Sequence, residues 1–154
     1  MTRDLESLRA PLLRFCAGYL RDTEAARDAV QECFRRLLAL KETPEAPPAW
    51  LRRAARNHCL NLLRSRRRRR DRERLATGVD VVAPVAGPLT GLVREEERAS
   101  VGALLARLRE DEVELLRLRY VDELSRREIA ELVELPESTV KSRLEDALRK
   151  LQRA

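Results

Sequence analysis

Ser125-Arg-Arg-Glu-Ile-Ala-Glu-Leu-Val-Glu-Leu-Pro-Glu-Ser-Thr-Val-Lys-Ser-Arg-Leu144 is the stretch from which the rest of the chain is read. Ser125 followed three residues later by Glu128 is a capping box, each side chain satisfying a backbone N–H at the start of a helix. Ile129, Ala130, Leu132 and Val133 then recur at helical spacing on one face. Glu134-Leu135-Pro136 breaks the pattern, because proline lacks the N–H a helix interior needs. A second helix follows, with Val140, Leu144, Ala147, Leu148 and Leu151 on its apolar side. Ser138, Lys141, Ser142 and Glu145 fall on the other. Two short helices with a tight turn, the second presenting small polar and basic residues, describe a helix-turn-helix. An ordinary helical hairpin gives the same pattern, so the rest of the chain has to arbitrate.

Upstream, Leu104, Leu105 and Leu108 mark one helix, and Val113, Leu115, Leu116, Leu118 and Tyr120 another. From Leu75 to Gly91 periodicity disappears, and this segment holds three of the five glycines and two of the seven prolines. It reads as a flexible linker. Before it, helical periodicity returns. Leu5, Leu8, Leu12, Phe15, Cys16 and Tyr19 step by three and four, with Pro11 either kinking the run or starting a new helix. Asp22 can cap the next helix, whose stripe is Ala26, Ala29, Val30, Cys33, Phe34, Leu37 and Leu38. Lys41–Pro48, with three prolines, is a loop. A third helix starts near Ala49 with Leu51, Ala54, Ala55, Cys59, Leu62 and Leu63 inward. Arg52, Arg53, Arg56, Asn57, Asn61 and Arg64 face outward.

The expected fold is therefore all-α: two small helical domains, 1–74 and 94–154, joined by a linker at 75–93. The whole chain has 154 residues, 44% hydrophobic and 38% charged, which is enough apolar material for two small cores. Aromatics are 3%, so the cores are aliphatic. The longest charge-free run, Val81–Val93, is broken by prolines and glycines and cannot cross a membrane. The start, Met1-Thr-Arg-Asp-Leu-Glu6, lacks the basic and apolar segments of a signal peptide, so a cytoplasmic protein is expected.

The net charge of +6 is concentrated. Residues 1–50 carry eight basic and eight acidic side chains, residues 51–74 eleven and two, and residues 75–154 thirteen and sixteen. The whole excess thus lies on the third helix and the unbroken run Arg66–Arg70. A solvated basic run is one reading. Nucleic-acid contact is the better one, because five adjacent arginines repel one another and arginine suits phosphate. Cys16, Cys33 and Cys59 all fall on apolar faces and read as buried free thiols. One histidine, His58, and no C-x-x-C pair give no metal site, and no cofactor motif is present.

Three blocks resemble the bacterial RNA polymerase sigma factors of the extracytoplasmic-function type, a compact branch of the sigma-70 family. Asp28-Ala-Val-Gln31-Glu32-Cys-Phe34 resembles the core-polymerase-binding helix of region 2. Trp50-Leu-Arg-Arg-Ala-Ala-Arg56-Asn57-His-Cys-Leu-Asn61-Leu-Leu-Arg64 resembles the helix that melts and reads the −10 element. Leu118-Arg-Tyr120, Leu124-Ser125-Arg-Arg-Glu128-Ile-Ala130 and Leu135-Pro136-Glu-Ser-Thr139-Val140-Lys141-Ser142-Arg143-Leu144 resemble region 4.

The resemblance implies a subunit that binds core RNA polymerase (β′ clamp helices and β flap) and directs it to promoters, with an anti-sigma factor as regulator. Asp28, Gln31, Glu32 and Arg35 would dock on the polymerase. Arg53, Arg56, Arg64, Arg66 and Arg67 would grip phosphates at the −10 element, and Asn57 and Asn61 would read bases. Trp50 would either stack on melted bases or pack under the helix. Ser138, Thr139, Lys141, Ser142 and Arg143 would contact the −35 element, with Arg126 and Arg127 on phosphate. Glu123, Glu134 and Ser138 stand where the family often has glycine, and Glu145 and Asp146 where it has aromatic, histidine or basic residues. An enzyme is not expected: phosphodiester synthesis belongs to the polymerase. The competing function is a stand-alone helix-turn-helix regulator, which leaves the N-terminal block unexplained.

Overall fold

The computed structural model describes residues 2–78 and 101–153. The expected linker from 79 onward and the first residues of the expected C-terminal domain, 94–100, lie outside them. The chain divides into two compact units, Met1–Pro84 and Val85–Ala154. Every regular element among the described residues is a helix.

In the N-terminal unit, α1 covers Thr2–Ser7, α2 Arg9–Leu20, α3 Thr23–Leu38 and α4 Pro47–Thr77. Of the two outcomes for Pro11, a new helix is the one found. Pro11 sits in the first turn of α2, where a missing N–H costs no intrahelical bond. Asp22 caps α3 as expected, its Oδ1 accepting from the Ala25 N–H at 3.1 Å. α4 begins at Pro47-Pro48, two residues before the expected start near Ala49, because proline is pre-set for a first helical turn.

Helices α2, α3 and α4 pack on one another. Their shared core holds Leu12, Phe15, Leu20, Val30, Phe34, Leu37 and Leu51, interleaved with the small residues Ala26, Ala29 and Ala55. The three thiols complete it, one from each helix and each fully buried. Burial, with Cys16 close by, pushes the Cys33 thiol up to about 12, so it stays a neutral apolar filler. Leu38 does not belong to this core: it is 73% exposed. Leu38 is the last residue of α3 and lies ~100° around the helix from the buried Leu37, beyond the edge of the packed stripe.

In the C-terminal unit, helical turns at 101–105 (α5) lead to α6 (Glu110–Tyr120), α7 (Arg126–Val133) and α8 (Glu137–Gln152). The capping box at Ser125 is present: Ser125 Oγ accepts from the Glu128 N–H at 3.2 Å and Glu128 Oε2 from the Ser125 N–H at 2.9 Å. Leu115, Leu116, Leu118, Leu124, Ile129, Leu132, Val140, Leu144 and Ala147 form one aliphatic core. Each such large side chain contributes on the order of 1.5–3 kcal/mol on burial.

Two turns carry local strain. Glu123 and Glu134 have φ of 55° and 57°, the left-handed region that favours glycine. Glu134 closes α7, and the three residues 134–136 turn the chain into α8. The departures from glycine at Glu123 and Glu134 therefore fall where a side chain is costly. Arg117 is the surprise of this unit: it is 1% exposed, with Nη2 3.1 Å from Asp122 Oδ2. Its aliphatic neighbours gave no sign of it, since a charge in an apolar run reads as solvent-facing.

Candidate nucleic-acid interface

The basic face is built on α4. Leu51, Ala55 and Cys59 hold one side of this helix in the bundle. Asn57, Asn61, Arg53 and Arg64 are exposed on the other, while Arg56 is half-buried. Asn57, Asn61 and Arg64 lie within ~60° of one another at ~100° per residue. Arg64 Nη1 donates to Asn61 Oδ1 at 3.3 Å, so one carboxamide and one guanidinium are held side by side. Trp50 is half-buried at the start of the same helix.

The arginine run does not fan out as one patch. α4 continues unbroken to Thr77 and is closed by Gly78, φ +66°, so Leu75–Thr77 are helical rather than linker. A helix imposes one phase on the run. Arg66 therefore falls ~180° from Asn57, half-buried, with Nη2 3.5 Å from Oδ2 of Asp22, the N-cap of α3. Arg67 is exposed on the flank. Arg68 and Arg72, which the sequence reading did not single out, return to the Asn57 side; the signal was the four-residue spacing from Arg64.

A second face lies on α3. Asp28, Gln31 and Arg35 are exposed. Glu32 is less so, clasped by Arg35 (Nε to Oε2 at 2.8 Å, Nη2 to Oε1 at 2.9 Å) and by Arg36 (Nε to Oε1 at 2.6 Å). Those bonds, Arg35 first, hold its carboxyl down at about 2, well below the usual carboxylate range. Arg36, which went unread in the sequence, borders this face beside Glu32, and Leu38, expected inward, is exposed at its opposite edge.

The third face is α8. Ser138, Lys141, Ser142 and Glu145 are exposed together, with Lys141 Nζ 3.9 Å from Glu145 Oε1. Asp146 pairs with Arg149 at 2.8 Å. Thr139 is half-buried. Arg126 and Arg127 are exposed on α7, Arg127 reaching Glu131 at 3.2 Å. Arg143 separates from this group: it leans toward α6 and donates to Asp111 Oδ2 at 3.0 Å. Two turns further, Lys150 donates to Glu112 Oε1 at 2.6 Å. Glu112 is 4% exposed, and its other oxygen accepts from the Arg109 N–H at 2.9 Å. Lys150 first, then that N–H, hold the Glu112 carboxyl below its ordinary value.

Among the described residues, no group of three histidine, cysteine or acidic side chains is placed to hold a metal ion, and no helix is long and apolar enough to cross a membrane.

Two family models match in order: sigma-70 region 2 over residues 5–69 and sigma-70 region 4 over residues 98–151. The chain belongs to the sigma-70 family. Its fold is similar to that of the sigma factor RpoE, solved in complex with the anti-sigma factor NepR from Bartonella quintana. The identity is 23%, the TM-score 0.65, and the match covers 99% of this chain and 94% of that one. No curated protein sequence matches the chain.

A sigma factor directs RNA polymerase to promoters. The region 2 match takes in α2, α3 and α4 as far as Arg69; the rest of α4 runs past it. The region 4 match takes in α6, α7 and α8. The helix-turn-helix reading thus prevails over the ordinary hairpin, and region 2 accounts for the N-terminal half that a stand-alone regulator would leave unexplained.

Proposed function

We propose that this sigma factor divides its work among the three faces. Asp28, Gln31, Glu32 and Arg35 on α3 dock on the β′ clamp helices of core polymerase, with Arg36 fixing the Glu32 carboxylate and Leu38 adding apolar contact. Arg53, Arg56 and Arg64 hold phosphates at the −10 element, while Asn57 and Asn61 read bases. Ser138, Lys141 and Ser142 enter the major groove at the −35 element, with Thr139 flanking and Arg126 and Arg127 on the backbone. The β flap would receive the region 4 unit. The observation that carries this reading is one helix, α4, with its apolar side locked in the bundle and two asparagines and an arginine side by side on the opposite side.

Glu145 bears on specificity. With Lys141 balancing its charge, it faces the groove as an acceptor for cytosine N4. The protein works in the cytoplasm, where polymerase and promoter meet. Because the similar RpoE was solved with an anti-sigma factor, a partner of that kind is proposed here too, covering polymerase-binding surface.

Pull-down of core polymerase followed by run-off transcription tests the assignment. Asn57→Ala with Asn61→Ala should keep core binding and relax −10 preference. Loss of core binding without any change in promoter preference would refute the division of labour.

A further inference from the structure

The part of α4 beyond the bundle carries most of the excess charge and runs on to Thr77, eight residues past the end of the region 2 match at residue 69. Residues 64–77 hold eight arginines and two carboxylates, and none of phenylalanine, tyrosine or tryptophan. Arg69 is occupied with Glu73 at 3.0 Å, and Arg66 with Asp22. Arg68 and Arg72 lie one and two turns after Arg64 and within ~60° of Asn57, so they prolong the side of α4 that carries Asn57, Asn61 and Arg64. Both are exposed. Arg72 Nε donates to the Arg68 carbonyl at 3.3 Å, a bond that steadies the guanidinium and occupies one of its five N–H donors.

From these observations we infer that Arg64, Arg68 and Arg72 form a phosphate-binding rail that grips duplex DNA flanking the −10 element. The inference rests on the reading of α4 as the −10 helix and extends it by two turns. Three guanidiniums ~6 Å apart along a helix axis span roughly 12 Å, several phosphate steps of a duplex. Single strands are held by aromatic stacking, which residues 64–77 cannot supply, whereas a duplex backbone needs only positive charge in register. Like charges four apart, such as Arg64–Arg68 and Arg68–Arg72, destabilise a free helix, and phosphates between them remove that repulsion. The arginines are thus arranged by face: Arg66 braces the bundle, and Arg68 and Arg72 hold DNA.

The test uses holoenzyme assembled from core polymerase and the full chain, with dissociation constants for a duplex promoter fragment measured against salt. Arg68→Ala with Arg72→Ala should lower the log–log salt slope by about 1.8, which shrinks the wild-type advantage about twelvefold between roughly 0.05 and 0.2 M salt. Arg66→Ala with Arg70→Ala removes the same charge from the far side and should change the slope by less than about 0.5. Equal changes for the two pairs, or none for either, overturn the rail. On a single-stranded −10 oligonucleotide the Arg68/Arg72 variant should bind like wild type, and a loss there matching the duplex loss overturns the duplex assignment. Asn57→Ala, read on −10 sequence preference, reports separately: an unchanged preference refutes base reading by α4 while the slope comparison still judges the rail.

Discussion

Replacing Glu112 with alanine removes two bonds at once, because one oxygen caps α6 and the other ties down α8. The cap is worth about 1 kcal/mol. The bond to Lys150 is charge-assisted and short, with a carboxylate only 5% exposed, but the lysine is 46% exposed, so about 1 kcal/mol is the fitting figure. The sum, about 2 kcal/mol, should lower the melting temperature of the region 4 unit by about 10 °C for a domain of this size. Glu112→Gln keeps an acceptor for the Arg109 N–H and should cost about half as much.

The assay is thermal and guanidinium unfolding of the full chain followed by circular dichroism, with Lys150→Ala and the double variant completing a cycle. The Glu112 carboxyl sits below its unfolded value of ~4.3. Its contribution is therefore present above that value and is lost as pH falls through the folded one. Glu112→Gln should flatten this acid limb. A cost for Glu112→Ala under about 0.5 kcal/mol, or a coupling with Lys150 under about 0.3 kcal/mol, would mean that Glu112 neither caps α6 nor ties down α8.

Other outcomes follow from single contacts. Glu134→Gly should stabilise the region 4 unit by about 1 kcal/mol, since φ of 57° strains any side chain there; a lower melting temperature would show the strain is absent. Asp22→Ala should cost about 1 kcal/mol more than Asp22→Asn, because asparagine still caps α3, and equal melting temperatures would contradict the cap. Arg143→Ala and Asp111→Ala should weaken −35 duplex binding alike, by about two- to fivefold, with the salt slope unchanged and the reversed pair recovering part of the loss. A slope change confined to Arg143→Ala would make it a phosphate contact instead. The Cys33 thiol, at about 12 folded against ~8.5 unfolded, leaves stability intact below ~8.5 and removes about 1.4 kcal/mol per pH unit as the pH rises toward the folded value. Unfolding titrations of Cys33→Ala should lack that slope, and an identical alkaline limb would count against it.

The contrast among Arg66, Arg68 and Arg143 shows where one-dimensional reading stops. All three are arginines in basic segments, and composition treats them alike. Phase along α4 sends Arg66 toward Asp22 and Arg68 away from the bundle. Packing of α8 on α6 gives Arg143 a carboxylate of its own. Leu37 and Leu38 repeat the lesson among apolar residues, one buried and its neighbour 73% exposed.

Residue type and spacing were enough for everything local and periodic. The helices, the Asp22 and Ser125 caps, the tight turn before α8 and the concentration of charge on α4 all follow from residue type and spacing within a few turns. The family resemblance followed from the same short blocks. Which charges remain available to a partner is set by the packing of helices on one another. Ion pairs such as Arg143–Asp111 and Lys150–Glu112 join residues more than thirty positions apart, and Arg117 is buried against its neighbour in charge, Asp122, by the helices around it. Those pairings depend on where helices meet, which no local period encodes.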